Sequence, residues 1–356
     1  ISSVTNMREM FRLARDFNKV LNDWDVSKVT YMNRMFGYAI NFNQTLNNWD
    51  VSNVIDMNGM FFEASNFNQA LNKWNVSRVT NMSEMFYNAI SFNQALNNWD
   101  VSSVTNMLSM FAYASNFNQD IDNWDVSNVT EMGAMFGYAK SFNQTLNDWN
   151  VSNVTSMSVM FHNASNFNQA LNDWDVSNVT DMRGMFRDTK EFNQALNNWN
   201  VSSVTNMSGM FCLARDFNQA LDNWDVSNVI DMKSMFFSTN FNQTLNNWNV
   251  SNVTNMRAMF CLAKEFNQAL DNWNVSNVTQ MSAMFQQASN FNQPLNNWNV
   301  SNVTYMGYMF YNAKSFKEKY NSGEPLPTNT DDIKDWFNLN RDRMNDIDIK
   351  NKYGKE

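Results

Sequence analysis

Histidine occurs once in this chain of 356 residues, as His162, and cysteine twice, as Cys212 and Cys261. With no second imidazole, no Cys/His cluster, no glycine-rich phosphate loop and no serine beside a base, neither a hydrolytic triad nor a zinc site can be assembled. The chain therefore reads as non-catalytic and without a cofactor or metal. His162 follows the Met160-Phe161 pair and reads as a solvated side chain. Basic residues are also scarce. Against 34 Asp and Glu there are 25 Lys and Arg, a formal charge of −9, and nucleic-acid binding draws its affinity from clustered cations that are missing here. No apolar run reaches the length of a membrane-crossing helix.

What the chain has in abundance is one phrase, repeated. A clear copy runs from Leu46 to Ala70, and the next begins at Leu71. Trp24, Trp49, Trp74, Trp99, Trp124, Trp149, Trp174, Trp199 and Trp224 are spaced by 25 residues, and Trp248, Trp273 and Trp298 continue the series after one 24-residue step. A fixed period in this range marks stacked supersecondary units whose stability is a sum of nearest-neighbour terms. The large side chains are almost wholly absorbed by the repeat. Of 27 Met only Met344 lies outside two columns, of 29 Phe only Phe62, Phe237 and Phe337, and of 13 Trp only Trp336. These columns are core by construction.

Within one repeat, Trp49 and Val51 alternate with Asp50 and Ser52, the period-two pattern of a short strand with one buried face. Met57, Met60, Phe61, Ala64 and Phe67 then fall at i, i+3, i+4, i+7 and i+10, which predicts a helix of two to three turns. Thr30, Thr80 and Thr105, with Asp56, Asn81 and Asn106, stand where the period switches and supply N-cap chemistry. Phe67-Asn68-Gln69 turns the chain back, its amides placed to bond a neighbouring coil. The predicted fold class is thus an α/β repeat, a solenoid with one short parallel strand and one short helix per 25 residues. Cys212 and Cys261 share a column two repeats apart, roughly 10 Å or more, beyond disulfide reach, so both thiols are expected free.

Leu46-x-x-Trp49-x-Val51-x-x-Val54-x-x-Met57 resembles the leucine-rich repeat, with Trp in the second leucine slot and Val in the cysteine slot. The longer phrase Trp-Asp-Val-Ser-Asn-Val-Thr-x-Met-x-x-Met-Phe-x-x-Ala-x-x-Phe-Asn-Gln is similar to the BspA-like leucine-rich repeat surface proteins and the related mycoplasma lipoprotein repeat. That resemblance covers residues 1 to about 316. It implies a leucine-rich-repeat-like solenoid, surface display and adhesion to host or matrix proteins.

The expected organisation is a solenoid over 1–316, about twelve full repeats after a partial first one, then a linker and capping segment over 317–356. In the cap, Trp336 and Phe337 are expected to cover the last repeat's core. Ile1 aligns with Val26 and Val51 and so falls inside a repeat, which leaves room upstream for a signal or anchor. Asp25, Asp50, Asp100, Asp125, Asp175 and Asp225 stand in one polar column, with Asn at other repeats, and Ser52, Ser102, Ser127 and Ser177 run beside them. Two readings apply: an acidic strip that takes a partner or cation on the strand face, or an Asx hydrogen-bond ladder. Pairs such as Phe62-Glu63, Tyr87-Asn88, Arg187-Asp188 and Gln286-Gln287 vary between repeats, as solvent-facing or recognition positions do. The function expected is a surface-exposed module, on a cell envelope or virion, that binds a protein or glycan. The alternative is a structural component of a virion or envelope that self-associates end to end.

Overall fold

The computed structural model describes residues 2–353. The chain divides into two compact units, Ile1–Val179 and Thr180–Glu356. In the first, parallel β-bridges join Asn6 to Tyr31, Tyr31 to Asp56, Asp56 to Asn81, Asn81 to Asn106, Asn106 to Glu131 and Glu131 to Ser156. In the second they link Asp181, Asn206, Asp231, Asn255, Gln280 and Tyr305 in turn. Each unit is therefore a stack of coils in register, one coil per sequence repeat.

Two expectations about the coil are corrected. The extended contact is a single bridge at the Asp56 column, not a strand at Trp49 and Val51, which lie in turns closed by Trp49 N–H to Leu46 O (3.0 Å) and Val54 N–H to Val51 O (2.9 Å). Nor does the Met57–Phe67 stripe form a helix: among the described residues no α-helix precedes α1, Lys314–Tyr320. Gly59 and Glu63 have φ of 57° and 59°, in the left-handed region that a right-handed helix excludes. Met57, Gly59, Phe61 and Glu63 donate their N–H groups to the next coil, at Asn81, Ser83, Met85 and Tyr87 carbonyls. The alternate amides of Met60, Phe62 and Ala64 close turns on Met57, Gly59 and Phe61.

The reason is spacing between coils. Helices packed side by side stand about 8–10 Å apart, whereas Phe61 and Phe86 have ring centroids 5.6 Å apart and Phe67 and Phe92 6.0 Å apart. A stack this tight has no room for helices on any side, so successive turns carry the i, i+3, i+4 pattern instead. The hydroxyls of Thr80 and Thr105 accordingly donate to the preceding coil's carbonyls, Ile55 and Thr80, and cap nothing.

The core is the columns. Trp49, Trp74, Trp99, Trp124, Trp149 and Trp174 are 2–4% exposed, and the Met and Phe columns around them are closed to solvent. Trp99 lies 6.4 Å from both Trp74 and Trp124, with ring planes within 3° of parallel. Tryptophan has an advantage over leucine here, because its indole N–H reaches the preceding coil: Trp99 Nε1 donates to Leu71 O at 3.0 Å, and Trp74, Trp124 and Trp149 repeat the bond to Leu46, Leu96 and Ile121. At the return, Asn68 Oδ1 accepts both Asn93 N–H and Gln94 Nε2 at 3.0 Å, the inter-coil amide contact that Phe-Asn-Gln predicts.

The 24-residue coil keeps its columns. Phe236 and Phe241 still stack at 4.2 Å, and Thr239, in the alanine position, offers its Oγ1 to the Phe241 amide in place of the usual backbone acceptor. At the end of the second unit, the segment before α2 (Thr330–Tyr353) replaces a further coil. Met306 N–H bonds Thr330 Oγ1 (3.2 Å) and Tyr308 N–H bonds Thr328 O (2.8 Å), where earlier coils use the next coil's carbonyls. Trp336 packs on Phe310 and Phe316 at 6.5 and 6.2 Å, and Ile333 and Phe337 are fully buried. Cys212 and Cys261 are both free and buried.

Candidate functional site

The predicted Asp/Ser column lies on turns rather than on a strand face. Its aspartates (Asp25, Asp50, Asp100, Asp125, Asp175, Asp225) are exposed, and Ser52, Ser102, Ser127 and Ser177 half-buried. Each acid bonds within its own coil: Asp100 Oδ1 accepts Ser102 N–H at 3.1 Å and Ser102 Oγ–H at 2.6 Å. The Ser hydroxyl and amide hold the carboxyls of Asp25, Asp125, Asp175 and Asp225 below the ordinary range. Asn75 and Asn200 make the same pair of bonds to Ser77 and Ser202. What the position requires is therefore an oxygen acceptor that closes an Asx turn, and charge is optional. Among the described residues no group of three or more His, Cys, Asp or Glu is arranged to hold a metal.

A different surface emerges from residues that the repeat leaves free to vary. In the first unit, Tyr38, Phe62, Tyr87, Tyr113, Tyr138 and His162 come from successive coils and form one strip. Ring centroids are 5.3, 4.6, 5.3, 4.4 and 4.8 Å apart along it. Phe62 and Tyr87 stack within 5° and Tyr113 and Tyr138 within 8°, while the three joints between are tilted by 53–57°. The tilts mark where the strip crosses between two adjacent columns. Phe62, Tyr87 and His162 occupy one; Tyr38, Tyr113 and Tyr138 occupy the next. Where the tyrosine is in the second, the first holds Gly37, Ala112 or Gly137, so each coil contributes one ring.

These rings stand outside a core that is already full. Tyr113 is 39% exposed and the other five are half-buried. His162 is thus one end of a ring stack, against Tyr138, and not a lone solvated side chain. Burial first, then Tyr113 and the carboxylates of Glu63 and Glu84, push the Tyr87 phenol up; burial and Tyr138 do the same to Tyr113. Beside the strip, Arg34 lies over the Phe62 ring at 4.9 Å and forms an ion pair with Glu84 two coils on. Gly59 permits that crossing, since a Cβ there meets Arg34 Cγ at 3.0 Å.

A stacked-coil array with a buried aromatic spine is the class that this geometry defines. The chain belongs to the family described as Mycoplasma protein of unknown function, DUF285, which matches residues 1–95, 66–172, 144–240 and 232–349. No curated protein matches. Among solved structures, the chain is similar to TLR13 in its complex with ssRNA13, at 11% identity and a TM-score of 0.29 over 88% of this chain; it spans 57% of that protein's length. It is also similar to a leucine-rich cell surface protein from Faecalibacterium prausnitzii (15% identity, TM-score 0.36, 81% of each chain). A leucine-rich repeat protein from Bacteroides ovatus matches at 8% identity and a TM-score of 0.32 over 78% of each chain. Likenesses this loose transfer neither partner nor activity.

Proposed function

We propose that the chain is a non-catalytic, surface-exposed protein-binding or adhesion module of the BspA-like leucine-rich repeat kind, with residues 1–316 as the repeat array and 317–356 as linker and cap. The observation that carries this reading is the strip of rings held outside the spine. Six coils each hold an aromatic side chain in register where folding requires none, and partly exposed Tyr and Phe on a rigid support are the residue types that anchor protein interfaces. The spine supplies what such a surface needs: side chains fixed by a ladder of backbone bonds rather than carried on mobile loops.

Immobilised matrix and cell-surface proteins, screened with the intact chain, test the proposal. Saturable binding to a defined protein supports it, and absence of binding across the panel overturns it. Light scattering separates this reading from assembly into an envelope or virion component, since a monomer whose mass is independent of concentration excludes self-association.

A further inference from the structure

The second unit carries a separate aromatic feature on the coil led by Leu295. We propose that Tyr305, Tyr308 and Tyr311, with the glutamines of the preceding coil, form a binding site for a neutral oligosaccharide. The inference goes beyond the protein-binding reading and does not rest on it.

Three of the chain's 10 tyrosines stand between positions 305 and 311. They are 59, 54 and 41% exposed, while Met306, Met309 and Phe310 between them already face the core, so packing does not ask for these rings. The two preceding coils hold Asn255 and Gln280 in the Tyr305 column, and Ala258 and Ala283 in the Tyr308 column. Nor do the rings cover one another as those of the strip do. Tyr308 and Tyr311 meet at 81° with centroids 5.8 Å apart, and Tyr305 touches no other ring among the described residues.

The surroundings select the ligand. From Asn272 to Ala313 the sequence contains no Asp, Glu, Lys, Arg or His, the longest such run in the chain, so these two coils offer an ionic partner no counter-charge. Gln280 bridges to Tyr305, and Gln286 stands beside Tyr311 in the same column. Both are half-buried, and neither side-chain amide bonds another described residue. Glutamines at the return, such as Gln268, are by contrast tied to the preceding coil. On the other flank, Tyr308 N–H bonds Thr328 O at 2.8 Å, which brings a second neutral polar residue alongside.

A sugar ring matches both features. The hydrogens of its apolar face carry partial positive charge and meet the negative face of an aromatic ring, and each hydroxyl both donates and accepts, as a primary amide does. An apolar side chain packed here would bury the glutamine amides unpaired, at a cost in free energy; a hydroxyl pairs them. Equatorial hydroxyls leave an unbroken C–H face, so β-linked oligomers of glucose or N-acetylglucosamine are the class expected.

Isothermal titration of the intact chain with cellohexaose, chitohexaose and the anionic hexamer of galacturonic acid tests the proposal. Saturable binding of at least one neutral hexamer, and none of the anionic one, is expected. Tyr305→Ser/Tyr308→Ser should weaken that binding about tenfold or more, as loss of two aromatic anchors does. Tyr305→Trp/Tyr308→Trp, which keeps a ring at each position, should retain it, and Tyr113→Ser/Tyr138→Ser, in the other unit, should leave it unchanged. If circular dichroism shows the serine double variant to be unfolded, Tyr305→Ser alone serves instead, since it removes the ring with no ring contact, and a severalfold loss is expected. Failure of both neutral hexamers to bind at about 10 mM, where even a millimolar site is mostly filled, serine variants that bind like the parent, or preference for the anionic hexamer overturns the proposal. These titrations contain no protein partner, so their failure removes this site alone, and an empty protein panel removes the protein-binding reading alone.

Discussion

Trp99→Phe is the perturbation that most directly tests how the coils hold one another. The indole of Trp99 is 3% exposed, packs between Trp74 and Trp124 at 6.4 Å, and donates Nε1–H to Leu71 O at 3.0 Å. Leu71 O also accepts Trp74 N–H, so phenylalanine removes a second bond without orphaning the carbonyl. That loss is worth about 0.5–1.5 kcal/mol. The smaller ring leaves a void between two rigid neighbours that cannot collapse, adding about 1–2 kcal/mol. We expect a total of about 2–3 kcal/mol. Trp24→Phe is the control. Trp24 is half-buried and meets Phe11 at 5.7 Å with planes tilted by 38°, so its loss should stay under about 1 kcal/mol. A coil array need not unfold in one step, so urea titration should be joined to hydrogen exchange at the amides of Thr80, Thr105 and Thr130, which bond from coil to coil. Protection should fall around Trp99 first. Equal destabilisation by the two variants, or loss of protection spread evenly through the unit, would refute the nearest-neighbour account.

Further outcomes follow from the same geometry. Val159 is a β-branched residue at φ 50°, and Val159→Gly should raise the melting temperature, by about 1 kcal/mol of relieved strain less the added chain entropy. Asp125, Asp175 and Asp225 have carboxyls held below the usual value by their serines. Their contribution is fully present above about pH 4 and lost as pH falls through the depressed values; Asp125→Asn, which keeps the acceptor, should leave neutral stability unchanged and reduce the acid sensitivity seen in a pH series of melting temperatures. Burial pushes the Cys261 thiol up to about 11, so native protein at pH 8 should react with a thiol reagent far more slowly than unfolded protein, and mass spectrometry should find no internal disulfide. Phe337→Ala should cost about 3–5 kcal/mol and expose the amides of Met306 and Tyr308, read by hydrogen exchange, because Phe337 is fully buried in the helix that follows the segment covering that edge.

Most of the core was legible before any coordinates. Met32 to Met309, Phe36 to Phe316 and the Trp column from Trp49 onward are buried because a repeat must present the same atoms to its neighbours on both sides, and burial leaves its mark directly on residue type. The path of the backbone between those residues was not. An apolar residue at every third or fourth position satisfies a helix and equally a run of turns that point inward at the same interval, so Met57, Met60, Phe61, Ala64 and Phe67 do not distinguish the two. Two signals did separate them. Spacing between coils is one: ring centroids 5.6 and 6.0 Å apart in the Phe61 and Phe67 columns leave no room for helices, which pack about 8–10 Å apart. Glycine and asparagine also recur at the left-handed positions, as Gly59, Gly184 and Gly209 in one column and Asn88, Asn163 and Asn312 in the other, and a helix interior has no use for either.

The aromatic strip was hidden by the method that finds the core. Aligning the chain at a fixed 25-residue phase places Phe62, Tyr87 and His162 in one column and Tyr38, Tyr113 and Tyr138 in the next, and each column then looks like unconstrained surface. In space the two columns are neighbours on one turn, so a ring from either reaches the ring of the adjacent coil, with only a change of tilt where the strip crosses over. The constraint therefore acts on the pair and not on the position: a small or polar residue in one column goes with a ring in the other. Packing inside the spine is indifferent to that exchange, since both positions lie outside it. The core does not need that rule, and the strip of rings it leaves on the surface over six coils is the feature on which the protein-binding proposal rests.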